Sequence, residues 1–435
     1  MITIGGIIGA GLFVGSSVAI AATGPAAIIS YALTGVLVLL VMRALGEMAV
    51  ETPEVRSFTE FTRPALGNWA GFSVGWLYWY FWAVVVPLEA IAGAGIIHDW
   101  LPLPTWVLGV ALMACMTAVN LMSARAYGEF EFWFSSIKVA AIITFIVVVG
   151  AYVCGYRSPS GPTFSNLVAY GGFAPRGALA VLASVTTVIW SMMGAEVVTI
   201  AAAESPEPAR AVARMTSTII SRIALFYIGS VFVIVCAVPW SRVVPARTPF
   251  TLALDQVHFP YASTIMSVVI LTAVLSCLNS AFYVASRVLF VLASRGDAPR
   301  WLVRTNRRHV PSRAVMLASV VGFAGAIGAI LSPGVVYTFL VNSSGAIIAL
   351  IYLMIAVSQV RLRRARERAG APAPQLPMWG FPWLSYFTIA GMALVIVAMA
   401  VTPSHRAEFW TSMVSIAVVL LAFVVLRRGK APVVQ

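Results

Sequence analysis

Residues Ile4–Phe13 read IGGIIGAGLF, four glycines in ten positions, inside a run that carries no charge from Met1 to Met42. Glycine weakens a helix by about 1 kcal/mol relative to alanine, so crossing a membrane is not reason enough for this composition. Irregular backbone is tolerated at membrane depth only where it is buried in protein or lines a watery cavity. The cluster therefore predicts a helix broken at Gly9-Ala10-Gly11, with N–H groups freed on the outer half and carbonyls freed on the inner half. The N–H groups, at the positive end of a helix dipole, suit a carboxylate, and the carbonyls suit an ammonium. A zwitterion fits such a break. The competing reading is that these glycines only let helices pack closely.

The chain around this stretch has 435 residues, 60% hydrophobic and 10% charged, with a mean hydropathy of +0.94. No soluble domain has that balance. A span needs about 20 apolar residues, and the runs divide into twelve cores at 1–22, 26–49, 69–97, 105–122, 131–152, 178–203, 219–239, 261–291, 314–332, 335–358, 381–402 and 410–426. Two pairs are separated only by Gly24-Pro25 and by Ser332-Pro333-Gly334. The expected class is an all-α integral membrane protein.

The net charge of +13 is explained by topology. Among the 28 Lys and Arg, Arg157, Arg176, Arg242, Arg247 and Arg406 fall on one side and Lys138 lies inside a span. All the others, including Arg304, Arg307, Arg308, Arg313 and the RLRRARER run at Arg361–Arg368, fall on the opposite side. The positive-inside rule makes that side cytoplasmic, with both termini inside, and adds a secondary attraction to anionic lipid. The charge thus gives no reason to expect nucleic acid as a partner. Cys115, Cys154, Cys236 and Cys277 are scattered among spans, and His98, His258, His309 and His405 among loops and span ends. Neither a disulfide framework nor a metal site is expected, and no cofactor. No nucleophile triad, HExxH or phosphate-binding loop occurs, so an enzyme is not expected either. Met1 leads into the first span without a basic segment, which reads as a span rather than a cleavable signal.

A second stretch supports the break. The sixth span contains VIWSMMGAEVVTIAAAES, with Gly194 and Glu196 inside an apolar run. Carboxylates within a bilayer are costly and mark function. Spans 1 and 6 are interrupted alike and run in opposite directions, as an inverted repeat of five plus five spans requires. The reading is a secondary transporter with its site between those spans.

Other charges leave alternatives open. Lys138, in FWFSSIKVAAIITF, is either a proton-exchanging amine or a side chain snorkelling to the interface. Glu89, in VVVPLEAIAGAG, either meets a substrate amine or sits at the outer interface. Glu47 reads as a structural ion pair with Arg43. The aromatics Trp76, Tyr78, Trp79, Tyr80 and Trp82 either wall a cavity or form the more common interfacial or lipid-facing belt.

The stretches IGGIIGAGLFVGSS, NLMSARAYGEFEFWFSSIKV, SMMGAEVVTIAAAESPEPA and SCLNSAFYVASRVLFVLASRGDAP together resemble the amino acid transporter family of the amino acid-polyamine-organocation superfamily. Within it, SSVAIAATGPA, GWLYWYFWAVVVPLEA and NSSGAIIALIYLMIAVSQVRLR look most like γ-aminobutyrate permeases. Proline, aromatic amino acid and D-serine/D-alanine/glycine permeases share much of the signature. The resemblance spans nearly the whole chain and weakens after about Arg368.

It implies about twelve transmembrane helices: repeats at 1–152 and 178–358 with broken helices 1 and 6, a basic cytoplasmic loop at 359–380, and peripheral helices 11 and 12 within 381–435. It implies a substrate carboxylate held by the amides of Gly9, Ala10 and Gly11, and an α-amino group held by carbonyls of Ile7, Trp190 and Met193 near Gly194. Trp190 corresponds to a gate, Glu196 to a proton-sensing carboxylate, and Lys138 to a proton-coupling lysine with Ser276 and Ser280 as candidate partners. Deep burial of Lys138 without a carboxylate partner would favour its neutral form. A γ-amino acid holds its ammonium three carbons from the carboxylate, so it either folds back to those carbonyls or reaches Glu89 or Glu196.

The sequence departs from relatives in having Ala10 where some carry serine, and in starting about eight residues, ~12 Å, before the break. A start further upstream and a shortened inner half-helix are the two readings of the second departure. The expected function is proton symport of γ-aminobutyrate or a similar small zwitterionic amino acid, with Trp190 closing over the site and the bundle of spans 1 and 6 rocking between two faces of the bilayer. The alternatives are a gradient-independent exchanger and a permease for proline or small neutral α-amino acids.

Overall fold

Apolar runs punctuated by glycine, proline and charge fold into helices throughout. The computed structural model describes residues 8–52, 55, 57–122, 124–159, 161–196, 223–245, 247–258, 261–308, 310–331 and 333–428. Among them every regular element is helical. The longer or site-forming helices are α1 (Ala10–Phe13), α2 (Gly15–Thr23), α3 (Ala27–Glu51), α4 (Asn68–His98), α5 (Thr105–Met122), α6 (Ala124–Val153), α7 (Gly177–Ser191), α8 (Ile223–Ala237), α9 (Ala262–Ser294), α10 (Ser312–Leu331), α11 (Pro333–Arg368), α12 (Trp383–Val401) and α13 (Arg406–Arg428). Among the described residues, eight stretches are long and apolar enough to cross a membrane, and α7, α8 and most of α10 form shorter apolar helices. One of the eight, Gly11–Glu51, is 41 residues long. A 3₁₀ turn at Gly24–Ala26 divides it, with Pro25 inside the turn and Gly24 at φ 68°. The chain is a multi-pass, all-helical membrane protein.

The sixth span is interrupted after Ser191, as its glycine leads the sequence reading to expect. One boundary differs from that reading. The stretch expected as a loop from 359 is helical to Arg368, where Gly370 at φ 67° closes the helix. Arginine is a good helix former, and this extension is tied down along its length. Arg363 pairs with Glu367 at 2.8 Å, and Arg366 pairs with Glu51 at 2.5 Å.

The chain divides into two compact units. The first comprises the described residues of Met1–Leu39, Glu89–Val198 and Arg214–Ala281, and the second those of Leu40–Leu88 and Phe282–Gln435. In the first, α1 and α2 lie against α7, and α8 lies against α6. In the second, α11 packs on α10, α12 and α13. Only 6% of the most apolar window of α13 is buried within the protein, and Val414, Leu421 and Val425 are exposed along it. So much exposed apolar surface suits contact with lipid rather than water.

The aromatic stretch of α4 is core in the second unit, where Tyr78 and Trp82 are buried. Trp76 and Trp79 pack against Leu289, Ala293, Leu302 and Ala314. The Trp76 indole N–H also donates to the Asp297 carbonyl at 3.2 Å. Period and hydropathy cannot distinguish a lipid-facing aromatic from one facing another helix, and here the helices supply the partner.

Glu47 is structural, but its ion-pair partner is Arg363, 3.7 Å away. Its carboxylate also accepts from Gln359 Nε2 at 3.0 Å and from the Met378 N–H at 2.5 Å. Ser385 fixes Gln359 through a 2.8 Å bond, and Arg43 donates to the Pro377 carbonyl at 2.7 and 3.0 Å. This knot joins α3, α11, α12 and the segment before α12. Removing one member of a buried charged network leaves the others unpaired, at about 3 kcal/mol. Glu47→Ala is therefore expected to lower the unfolding temperature in detergent well below that of the wild type; an unchanged temperature would show that the knot adds no stability.

Candidate functional site

The interruption in α7 is built from its own residues. After Ser191 the chain turns through Met192, Met193 and Gly194 before helical conformation resumes at Ala195 and Glu196. Gly194 sits at φ 101°, a conformation that a side chain would strain. The turn tightens as Met192 N–H donates to the Ile189 carbonyl at 3.0 Å and Met193 N–H to the Trp190 carbonyl at 3.4 Å. The freed groups find other partners. Tyr227 Oη donates to the Ser191 carbonyl at 2.8 Å. The Gly194 N–H donates to both carboxylate oxygens of the fully buried Glu196, at 3.3 and 3.2 Å. The Glu196 carboxylate thus satisfies the Gly194 N–H that the turn frees.

In the first span Ile8 and Gly9 lie outside helical geometry, and α1 starts at Ala10. Ile7 lies outside the described residues. Ala10 and Gly11 are helical, so the irregular backbone is at Ile8–Gly9, one residue earlier than the center of the glycine pattern suggests. The Leu12 N–H donates to the Gly9 carbonyl at 3.3 Å rather than continuing an α ladder back to Ile8. That leaves the Ile8 carbonyl available, and Lys138 Nζ donates to it at 2.6 Å.

The glycines are required for packing as well. A Cβ on Gly11 would stand 2.6 Å from Ser191 Cα, the last residue of α7, and 3.4 Å from the Trp190 ring. The two interrupted spans therefore touch backbone to backbone. A Cβ on Gly9 would stand 2.8 Å from the Cys277 sulfur and 3.5 Å from Glu89 Oε1. Gly9 and Gly11 thus permit the close approach that the packing reading expects, and the irregular backbone at Ile8–Gly9 lies beside it. Glu89 is buried beside Gly9, not at an outer interface. Trp190 lies partly buried along the Gly11–Gly15 face of the first span.

Lys138 is fully buried at the middle of α6, so its ammonium does not snorkel to an interface. Besides the Ile8 carbonyl it donates to Ser276 Oγ at 2.8 Å. Ser276 Oγ in turn donates to Glu131 Oε1 at 2.6 Å. Ser280 and Ser135 place their hydroxyls 3.5 Å from the same carboxylate. Glu89 and Cys277 also act electrostatically on Lys138. The condition under which burial would favour a neutral lysine, the lack of a carboxylate partner, is not met, because Glu131 and Lys138 stand two turns apart on one face of α6 and Ser276 of α9 bridges them. Sequence reasoning passed over Glu131. The seven-residue spacing to Lys138 was the available signal.

The structure therefore gathers Gly9, Gly11, Glu89, Lys138, Trp190 and Ser276 into one neighbourhood, with Met193, Gly194 and Glu196 at the adjoining break and Ser280 on the Glu131 side. A family model described as amino acid permease matches residues 1–431. A γ-aminobutyric acid permease of Bacillus subtilis is 44% identical over 99% of this chain and 92% of its own length. Its counterpart in Escherichia coli is 44% identical over 94% of this chain and 88% of its own length. An aromatic amino acid transport protein of Corynebacterium glutamicum is 36% identical over 99% and 95%.

Gly11 and Gly15 offer a paired test of the contact between the interrupted spans. Gly11→Ala forces a methyl into the α7 backbone and is expected to lower the unfolding temperature markedly. Gly15→Ala meets only the Trp190 ring edge at 3.9 Å and is expected to leave the temperature near that of the wild type. Equal effects would show that the Gly11 contact is not tight.

Proposed function

Because this chain belongs to the amino acid permease family, we propose that it is a secondary transporter that imports γ-aminobutyrate or a similar small amino acid by proton symport with alternating access. The relatives named as γ-aminobutyric acid permeases support the substrate. The observation that carries the coupling is the bond from Lys138 Nζ to the Ile8 carbonyl. A charged donor makes a hydrogen bond about twice as strong as a neutral one. Protonation of Lys138 therefore stabilises the irregular backbone at Ile8–Gly9, on which substrate would rest. Binding at that backbone and protonation of the lysine are then linked, and each favours the other.

In this reading the substrate carboxylate meets the amides of Gly9, Ala10 and Gly11, where helix N–H groups lack internal partners. The ammonium of a γ-amino acid meets Glu89, which borders Gly9. An α-amino group would be held instead by the carbonyls of Ile7, Trp190 and Met193. Trp190 closes over the occupied site, and Glu196 reports protonation to the α7 break. The termini are cytoplasmic, the halves 1–152 and 178–358 are inverted repeats, and proton and amino acid enter together from the outer face. Loss of the Lys138 proton to the cytoplasm resets the carrier.

The test is uptake of radiolabelled γ-aminobutyrate into proteoliposomes under an inward proton gradient, with unlabelled proline, alanine and phenylalanine as competitors. Accumulation that an uncoupler abolishes, competed only by γ-aminobutyrate-like compounds, is expected. Uptake that ignores the gradient but needs preloaded amino acid would make the protein an exchanger. Lys138→Ala should abolish accumulation more severely than substrate binding; unchanged accumulation would remove the lysine from the coupling step.

A further inference from the structure

Glu131 has no part in the cycle above, yet it is fully buried and joined to Lys138 through one hydroxyl. We propose that Glu131 is the inward proton acceptor of the carrier, taking the Lys138 proton through Ser276. This rests on the proton-symport reading and extends it with a route.

The chain of contacts is continuous. Lys138 Nζ donates to Ser276 Oγ at 2.8 Å, and the same oxygen donates its own proton to Glu131 Oε1 at 2.6 Å. Serine can pass a proton because its hydroxyl donates and accepts at once. In the transfer one Nζ–H bond of Lys138 breaks as that proton bonds to Ser276 Oγ. The original Ser276 O–H bond breaks as its proton bonds to Glu131 Oε1. An ammonium and a carboxylate become an amine and a carboxylic acid, serine is regenerated, and the hydrogen bonds reverse direction. Both end states are free of an isolated charge, which suits a site at bilayer depth.

The placement gives the relay a direction. Glu131 lies two turns, ~10 Å, from Lys138 towards the start of α6, the end that the arginine distribution assigns to the cytoplasm. The transfer also removes the charge from the Lys138–Ile8 bond. The same event that hands the proton inward therefore loosens the irregular backbone at Ile8–Gly9. Among the described residues, the other titratable groups around the relay are Glu89 of α4 and Cys277 of α9. Neither lies on the Ser276 bridge.

A static counter-charge would need no intervening hydroxyl, since its attraction acts through space, whereas a relay needs the Ser276 O–H. Two variants separate these roles. Ser276→Ala keeps both charges and removes the bridge; Ser276→Thr keeps the hydroxyl. Each is assayed in proteoliposomes with radiolabelled γ-aminobutyrate, in proton-driven accumulation across a pH profile and in counterflow at equal pH, which requires no net proton movement. Glu131→Gln keeps an acceptor for Ser276 but cannot take a proton, and is assayed alongside. Ser276→Ala and Glu131→Gln are expected to lower proton-driven accumulation on the order of tenfold or more while counterflow falls far less, and Ser276→Thr and Glu131→Asp to recover part of the drive. If Lys138→Ala loses the drive but Ser276→Ala and Glu131→Gln keep it, symport stands and the relay is overturned. Accumulation by the wild type that ignores the gradient overturns both. Equal loss of counterflow and accumulation in both variants assigns Glu131 and Ser276 to the fold and also overturns the relay.

Discussion

A lysine ammonium held at zero exposure in the middle of a membrane helix is the constraint around which the first unit is arranged. Such a charge is costly in hydrocarbon and must be met by oxygen on several sides. A regular helix has no carbonyl to spare for it, because each is committed four residues on. The irregular backbone at Ile8–Gly9 releases the Ile8 carbonyl, and Lys138 takes it. The buried cation and the irregular backbone thus satisfy each other. The serines of α9 follow from the same need, since Ser276 accepts a second bond from the ammonium and carries the contact on to Glu131.

The second break is satisfied differently. Tyr227 supplies the hydroxyl that occupies the Ser191 carbonyl, and Glu196 supplies the carboxylate that caps Gly194. Neither half of α7 leaves these groups open, so the interruption is a resting structure rather than a defect. In the proposed cycle, the two breaks therefore respond to different things: one to the charge on a lysine, the other to the protonation of a glutamate in its own chain segment.

Much of this was legible from local signals. Glycines at positions 9, 11 and 194 break a helix or admit a backbone whatever surrounds them, and Lys138, Glu89 and Glu196 stand out because charge is rare in apolar runs. What was not legible depends on what faces what. Glu131 lies in the mixed stretch GEFEFWF, where charge reads as the end of a span. Its importance follows only once α6 is seen to begin at Ala124 and to bring positions 131 and 138 onto one face. The α4 aromatics look alike whether lipid or protein surrounds them. Glu47 was read against its neighbour Arg43, while one of its hydrogen-bond donors, Gln359, lies 312 residues along the chain. Distance in sequence hides such partners, and only the packing of α3 with the segments around α11 reveals them.

The contact of Gly11 with Ser191 has a consequence for how such a carrier can change over evolutionary time. Where two segments meet without side chains between them, no substitution can enlarge or reshape the seam without pushing the backbones apart. Variation in the size or length of cargo must then be absorbed on the side chains that border the seam, at Glu89 and Trp190, while the seam itself stays unaltered. A lineage could change what it carries many times over and keep the same joint.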